Sequence, residues 1–345
     1  IRNSIAVIFS VYLFVFAVET EALQSSRIQG AVRLYQAGDY AAAIESLQRI
    51  LERDSTRVRA HVLLSASYLR AENPLMAGLA ADRGLALYPE NRSLLWLRGE
   101  ASLQREKLRQ ALKYYIRIEQ ASNLSNTGDA VGFTTTQLHQ RLGAVYEALG
   151  AEAFQSDSLN RAATYFRHAR DYIPDSVSVH RNLAYAYSQM HRWEKTIAVA
   201  DSGLKRFPDN VDLLRIKGSA LFRQQKYQPM LQIYRKLHRL RPHDIDISLA
   251  YGEVLLVNKK IVEAEEFYSS LMEKHPNNRR IYNALAELNA RQFNFRGKLA
   301  VLRRMQHHFP RDREVLTEIA ETYETLNEWS NARAVYDSIM TFTGD

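Results

Sequence analysis

The chain has 345 residues, 46% hydrophobic and 24% charged, a composition that suits a folded protein and excludes a mostly disordered one. Its formal net charge of +8 comes from scattered Lys and Arg with no polybasic run, so no nucleic-acid interface is expected. The absence of cysteine excludes disulfides, thiolate metal sites and a cysteine-linked lipid anchor.

The first 22 residues stand apart from the rest. Arg2 precedes an apolar run from Ile5 to Val18, "IAVIFSVYLFVFAV", and Glu19 and Glu21 follow it. That is the charge layout of a secretory signal. As a helix the run would be about 21 Å long, short of a hydrocarbon core of about 30 Å. "VFA" at Val15 to Ala17 and "TEA" at Thr20 to Ala22 each offer a small residue for cleavage. Residues 1–22 are therefore expected to be a signal peptide or an N-terminal membrane anchor, with membrane association through residues 1–18. The remainder is expected to be exported, periplasmic or anchored facing outward.

From there on the chain is periodic. Pro174, Pro208, Pro242, Pro276 and Pro310 each lie 34 residues after the one before, and Pro89 belongs to the same series. Units of that length begin near Gln24, Val58, Arg92, Thr136, Val177, Val211, Ile245, Arg279 and Arg313. The eighth position of each unit is small: Ala31, Ser65, Gly99, Gly143, Ala184, Gly218, Gly252, Ala286 and Ala320. Each unit reads as two helices with apolar residues at steps of three and four, as in "VHRNLAYAYSQM" and "WEKTIAVADSGLKRF". Such a hairpin cannot bury both faces alone, so neighbours must stack. Small residues at position eight let the helix axes approach closely, and position twenty matches with Ala43, Ala77, Ala111, Ala162, Ala264 and Ala332. Thr196, Met230 and Lys298 break that second series and predict looser packing there. Tyr40, Leu108, Trp193, Tyr227, Ile261, Phe295 and Trp329 at position seventeen are expected to wedge the gap as core. Proline at position thirty-two ends one hairpin and sets up the next.

Small at eight, Tyr at eleven (Tyr68, Tyr146, Tyr187, Tyr323), aromatic at seventeen, Ala at twenty, an aromatic at twenty-four (Tyr115, Phe166, Tyr234, Tyr268, Tyr336) and Pro at thirty-two together resemble the tetratricopeptide repeat (TPR). The resemblance covers about residues 24 to 345. It implies an all-α fold, a right-handed α-solenoid of about nine helix-turn-helix repeats. Ser55 and Asn123 stand where proline is expected, and Pro74 occupies position seventeen of the second unit.

Two places break the period. "LSNTGDAVGFTT", within residues 124–135, reads as an exposed loop that separates repeats one to three (23–123) from repeats four to nine (136–345). The fourth unit carries seven extra residues, assigned to the region Gly150 to Ser158. Seven residues make nearly two helical turns, so the hairpin is lengthened and its buried face keeps its phase.

No phosphate loop, paired-histidine zinc helix or nucleophile elbow occurs, so the chain is expected not to be an enzyme and to need no cofactor or metal. His307 with His308, and His238 with His243, sit at hairpin ends in polar company and read as solvated. The resemblance implies that first helices line a concave face from positions two, five, nine, twelve and thirteen. Those positions bring out Arg181, Tyr185, Gln189, Arg215, Phe222 and Arg223, with Asn182 alongside. Arginine pairs bidentately with carboxylates and aromatics supply stiff contact area, so the expected guest is an acidic or C-terminal peptide segment. The pattern differs from the carboxylate clamp of chaperone-associated members, because Tyr185 stands where an Asn is wanted. Glu253, Glu287, Glu314, Glu318, Glu321 and Glu324 predict a change of sign along the groove. The function implied is a non-enzymatic scaffold for peptide or protein partners in a bacterial cell envelope. The alternative is a substrate-recruiting or regulatory module of a larger protein. In the last helix, "NARAVYDSIMTF", Val335, Tyr336, Ile339 and Met340 have no following repeat to cover them, which predicts either further chain or self-association.

Overall fold

The computed structural model describes residues 27–120 and 132–343. The signal-like segment, Asn123 and most of the loop 124–135 lie outside them. Among the described residues there are eighteen helices and no strand.

The chain divides into two compact units, Ile1–Met190 and His191–Asp345. The first holds α1 (27–36), α2 (Tyr40–Arg53), α3 (Val58–Arg70), α4 (Pro74–Leu87), α5 (Arg92–Gln104), α6 (Leu108–Gln120), α7 (Thr135–Gln155), α8 (Leu159–Tyr172) and α9 (Val177–Gln189). The second holds α10 (Trp193–Arg206), α11 (Val211–Arg223), α12 (Tyr227–Leu240), α13 (Ile245–Val257), α14 (Ile261–Lys274), α15 (Arg279–Arg291), α16 (Phe295–His308), α17 (Arg313–Thr325) and α18 (Trp329–Thr343). Within each unit, helices adjacent in the chain pack on one another, and α3 also touches α5. This is the stacking that a 34-residue hairpin requires.

The two turns of the repeat have separate causes. At the proline turn, the Asn210 N–H donates to the Phe207 carbonyl at 3.1 Å, with Pro208 at the second corner, where its fixed φ suits the bend. Asn210 then caps α11 by accepting from the Leu213 N–H at 2.9 Å. Asn91, Asp244 and Asp312 cap α5, α13 and α17 in the same way. Where Ser55 replaces proline, the Asp54 carboxylate holds the turn, accepting from Thr56 N at 3.1 Å, Thr56 Oγ1 at 2.6 Å and Arg57 Nε at 2.7 Å. Those hydrogen bonds, first from the Thr56 hydroxyl and then from Arg57, lower the Asp54 pKa to about 2. Pro74 is explained as the first residue of α4, behind the Asn73 cap, where its missing N–H costs nothing. Pro229 is likewise in the first turn of α12.

The turn inside each hairpin depends on a left-handed residue at position fifteen. Glu72, Glu106, Asp157, His191, Gln225, Lys259, Phe293 and Asn327 have φ between 55° and 61°, and Gly38 has φ 83°. The Gln225 N–H donates to Phe222 O and the Lys226 N–H to Leu221 O, both at 2.9 Å, which closes the end of α11 as a Schellman motif.

The small positions pack as expected, and their partner is now visible. Ala31, Ser65, Ala184 and Ala320 are fully buried at position eight, as are Ala43, Ala77, Ala111, Ala162 and Ala264 at position twenty. Position eight faces position twenty-four across the hairpin: a Cβ on Gly252 would lie 2.3 Å from Tyr268 Cζ. Thr196 and Met230 are also buried, so the looser packing expected there is absent. Each fills its site with a larger side chain.

Three expectations need correction. The extra residues of the fourth repeat do not lie at Gly150 to Ser158. A Cβ on Gly150 would meet the Phe166 ring at 2.6 Å, the contact of a position-eight glycine, whereas Gly143 opposes Ile173 at the far end of α8. The additional residues therefore extend the start of α7, and the repeat proper begins at Gly143. The residues at position seventeen are not fully buried: Trp329 is 63% and Ile261 42% exposed, while Tyr40, Leu108, Trp193, Tyr227 and Phe295 are half-buried, with Leu108 and Tyr227 packed against the core. They occupy the first position of each second helix, at the hairpin corner. In α18, Val335 and Ile339 are buried in the core shared with α17, with Tyr336 packed against it. Of those four residues only Met340 is exposed, which removes most of the apolar face on which self-association rested.

Candidate functional site

The predicted site residues fall in both units, and each group is described in its own. In the first unit Arg181, Tyr185 and Gln189 are exposed on α9, with Asn182 half-buried beside them. Leu183, Ala184, Ala186 and Tyr187 form the buried face of the same helix, so its periodicity turns the candidates outward. The Tyr185 ring lies 5.4 Å from that of Phe154, and Asn182 Nδ2 donates to Glu147 Oε1 at 3.3 Å. Arg181 Nε reaches Asn182 Oδ1 at 3.5 Å. Glu147 and Phe154 on α7 thus belong to this surface, yet the sequence reading did not select them. With Gly150 at position eight they fall at positions five and twelve, those of Arg215 and Phe222. A glycine opposite Phe166 was the signal that could have found them.

In the second unit α11 and α13 flank a cleft of about 420 Å³. Ser219, Phe222 and Arg223 form one wall and Ala250, Glu253, Val254 and Val257 the other, with Met230 and Tyr234 of α12 beneath. Phe222 is 47% exposed. Burial pushes the Tyr234 hydroxyl up from its usual pKa, while the Ser219 hydroxyl and the charge of Arg215 oppose the shift. Among the described residues neither Arg215 nor Arg223 has a carboxylate at ion-pair distance, and the cleft's own carboxylate, Glu253, stands on the wall opposite Arg223.

The acidic set beyond the cleft is less free than its sequence suggests. Glu287 pairs with Arg291 at 2.6 Å, Glu314 with Arg279 at 2.5 Å, and Glu318 lies 3.8 Å from Lys298. Burial, then the charge of Glu253, raises the Tyr268 pKa above its usual value, which sets Glu253 against that hydroxyl. Arg279 also bonds Asp312 at 2.9 Å, and Arg280 bonds Asp246 at 2.6 Å. The change of sign along the helix faces is consequently muted by pairing between neighbouring repeats. Among the described residues, no group of three or more His, Asp or Glu side chains could hold a metal ion. Nor is any described helix long and apolar enough to cross a membrane.

The sequence patterns of the tetratricopeptide repeat match residues 29–78, 181–245 and 221–288. The chain carries tetratricopeptide repeats. Its all-α architecture is accordingly a solenoid of TPR repeats. It is similar in fold to a chain in the structure of Naa15/Naa10 bound to HypK-THB. That match has a TM-score of 0.58 and 13% identity, and covers 92% of this chain. It spans 46% of the length of that relative. Weaker likenesses include the TPR domain of P58(IPK), with TM-score 0.32, 15% identity and 92% of each chain. Another is the C-terminal part of a TPR repeat-containing protein from Cytophaga hutchinsonii, with TM-score 0.44, 15% identity, and 75% of this chain against 99% of that one. No curated protein matches the sequence. The TPR repeats make the protein an interaction scaffold.

Proposed function

We propose that this TPR protein is a non-catalytic scaffold that holds a peptide segment of its partner against the outward faces of its first helices. The cleft between α11 and α13 is the observation that carries the reading. An extended segment with an acidic side chain or a free C-terminal carboxylate fits on the α11 side, because Arg215 and Arg223 offer bidentate donors that no described carboxylate holds at ion-pair distance, while Glu253 on the α13 wall directs the carboxylate away from itself. Phe222 supplies a rigid apolar contact at modest entropic cost. Within the first unit, Arg181, Asn182, Tyr185 and Gln189 on α9 offer similar chemistry, with Phe154 and Glu147 as neighbours.

The test is fluorescence anisotropy with a labelled peptide that ends in acidic residues. Arg215→Glu combined with Arg223→Glu should weaken binding at least about tenfold, with the melting temperature unchanged, since both side chains are solvent-facing. Equal affinity of the variant and the parent would reject the assignment. The layout of residues 1–22 supports a place in a bacterial cell envelope, and fusion to a reporter active only after export would check it. A reporter that stays inactive would refute that location.

A further inference from the structure

The hairpin turns of the second unit line up along one edge. Gln224 donates to Glu194 of the preceding turn, Asn258 Nδ2 donates to the Tyr227 carbonyl at 3.0 Å, and Arg296 reaches Glu328 at 3.5 Å. Apolar side chains project from this edge in succession: Ile261 and Val262, then Phe293, then Trp329. Val262 is 68% and Phe293 82% exposed.

Folding does not account for them. Phe293 sits at φ 56°, a conformation that penalises a bulky residue, and the same turn is made elsewhere by Glu72, Gln225 and Lys259. Its ring lies beside that of Phe295, with centroids 6.4 Å apart, and belongs to none of the core clusters of the described residues. An aromatic held outward at a strained position is a candidate for function. Lys226, Lys259, Lys260 and Arg296 stand at the same series of turns, and among the described residues Lys226 and Lys259 pair with no carboxylate. The tips protrude into solvent. A protein partner would need a matching pocket at every repeat, whereas a bilayer interface admits protruding rings anywhere and favours cations beside them.

We propose that this edge docks on the surface of an anionic lipid bilayer. Ile261, Val262, Phe293 and Trp329 enter the interface, and Lys226 and Lys259 meet the headgroups.

The chain lacks cysteine, so Val262→Cys carries a single environment-sensitive dye. On mixing the labelled full chain with vesicles of phosphatidylcholine and phosphatidylserine, the dye emission should shift to the blue and the protein should co-sediment. Phosphatidylcholine alone should give no dye shift, which separates this edge from the apolar run Ile5–Val18 as a membrane contact. Phe293→Ser with Trp329→Ser, and separately Lys226→Glu with Lys259→Glu, should each reduce the vesicle-bound fraction about tenfold. These side chains are solvent-facing, so the melting temperature should stay within a degree or two of the parent, about the scale of a surface substitution. Three results overturn the proposal: no co-sedimentation, co-sedimentation without a dye shift, or a dye shift that needs no vesicles and grows with protein concentration. The second would place the contact elsewhere in the chain, and the third would make a second copy of the chain the partner.

Discussion

Replacing Gly252 with alanine tests the packing rule on which the repeat depends. In most helix interiors this change stabilises by about 1 kcal/mol, because glycine has the larger entropy to lose. Here the added methyl would sit 2.3 Å from Tyr268 Cζ, 2.4 Å from Cε1 and 2.5 Å from the hydroxyl oxygen. Tyr268 is fully buried and its hydroxyl donates to the Leu249 carbonyl at 3.3 Å, so the ring cannot swing aside. Relief must come from separating α13 and α14, and overpacking of this kind costs about 3 kcal/mol at the upper end of its usual range. Subtracting the propensity gain leaves a net loss of about 2 kcal/mol, or roughly 4–8 °C in melting temperature for a unit of this size. Urea unfolding followed by circular dichroism gives the midpoint. A midpoint equal to or above that of the parent would show that the helices have room to spare, and the close-approach argument would fail.

Gln225→Gly has the opposite sign. It replaces an L residue at φ 57° by the one residue without a Cβ penalty, and should stabilise by about 1 kcal/mol in the same urea assay. Asn327→Gly, at φ 60°, should gain less, since asparagine tolerates the left-handed region, and an equal gain at both sites would refute the explanation. Asp54 gives a pH-dependent effect. Its folded pKa of about 2 lies below the unfolded value of about 3.9. Its contribution to stability is therefore present above about pH 4 and lost as pH falls towards 2. The stability difference between the parent and Asp54→Asn should shrink over that window, and a difference that stays constant from neutral pH to pH 2 would contradict the capped-turn account.

The periodic part of the fold was legible because one local rule, repeated, prints itself on the chain. Once Pro208 was read as a turn and Gly218 as a close approach, the start of α11 at Val211 and of α12 at Tyr227 followed by counting. The fourth repeat was misplaced because Gly143 and Gly150 are seven residues apart, close to two helical turns, and so lie on the same helix face. Only the residue opposite distinguishes them, Ile173 for one and Phe166 for the other. The error moved Phe154 and Glu147 out of the candidate surface. Burial at position seventeen was overestimated because an aromatic at a corner and an aromatic in a core are the same letter. The left-handed residue at position fifteen left no trace, since Glu, Asp, His, Gln, Lys, Phe and Asn all occupy it. The pairing of Arg279 with Asp312 and Glu314 was in principle available as opposite charges about one period apart, 33 and 35 residues.

A division of labour between positions follows from these observations. Positions eight, twenty and twenty-four carry the close contacts, and a change there alters the distance between helices. In the sixth repeat positions five, nine, twelve and thirteen face solvent, so Arg215, Phe222 and Arg223 can change while the backbone they stand on stays the same. In a stack where each hairpin rests only on its neighbours, stability is close to a sum of local terms. The two sets of changes should then act independently. Gly252→Ala combined with Arg215→Glu should show the stability of the first and the peptide affinity of the second, each within about 0.5 kcal/mol of the single variants. Coupling well beyond that would mean that the guest reads the spacing of the helices as well as the side chains they display.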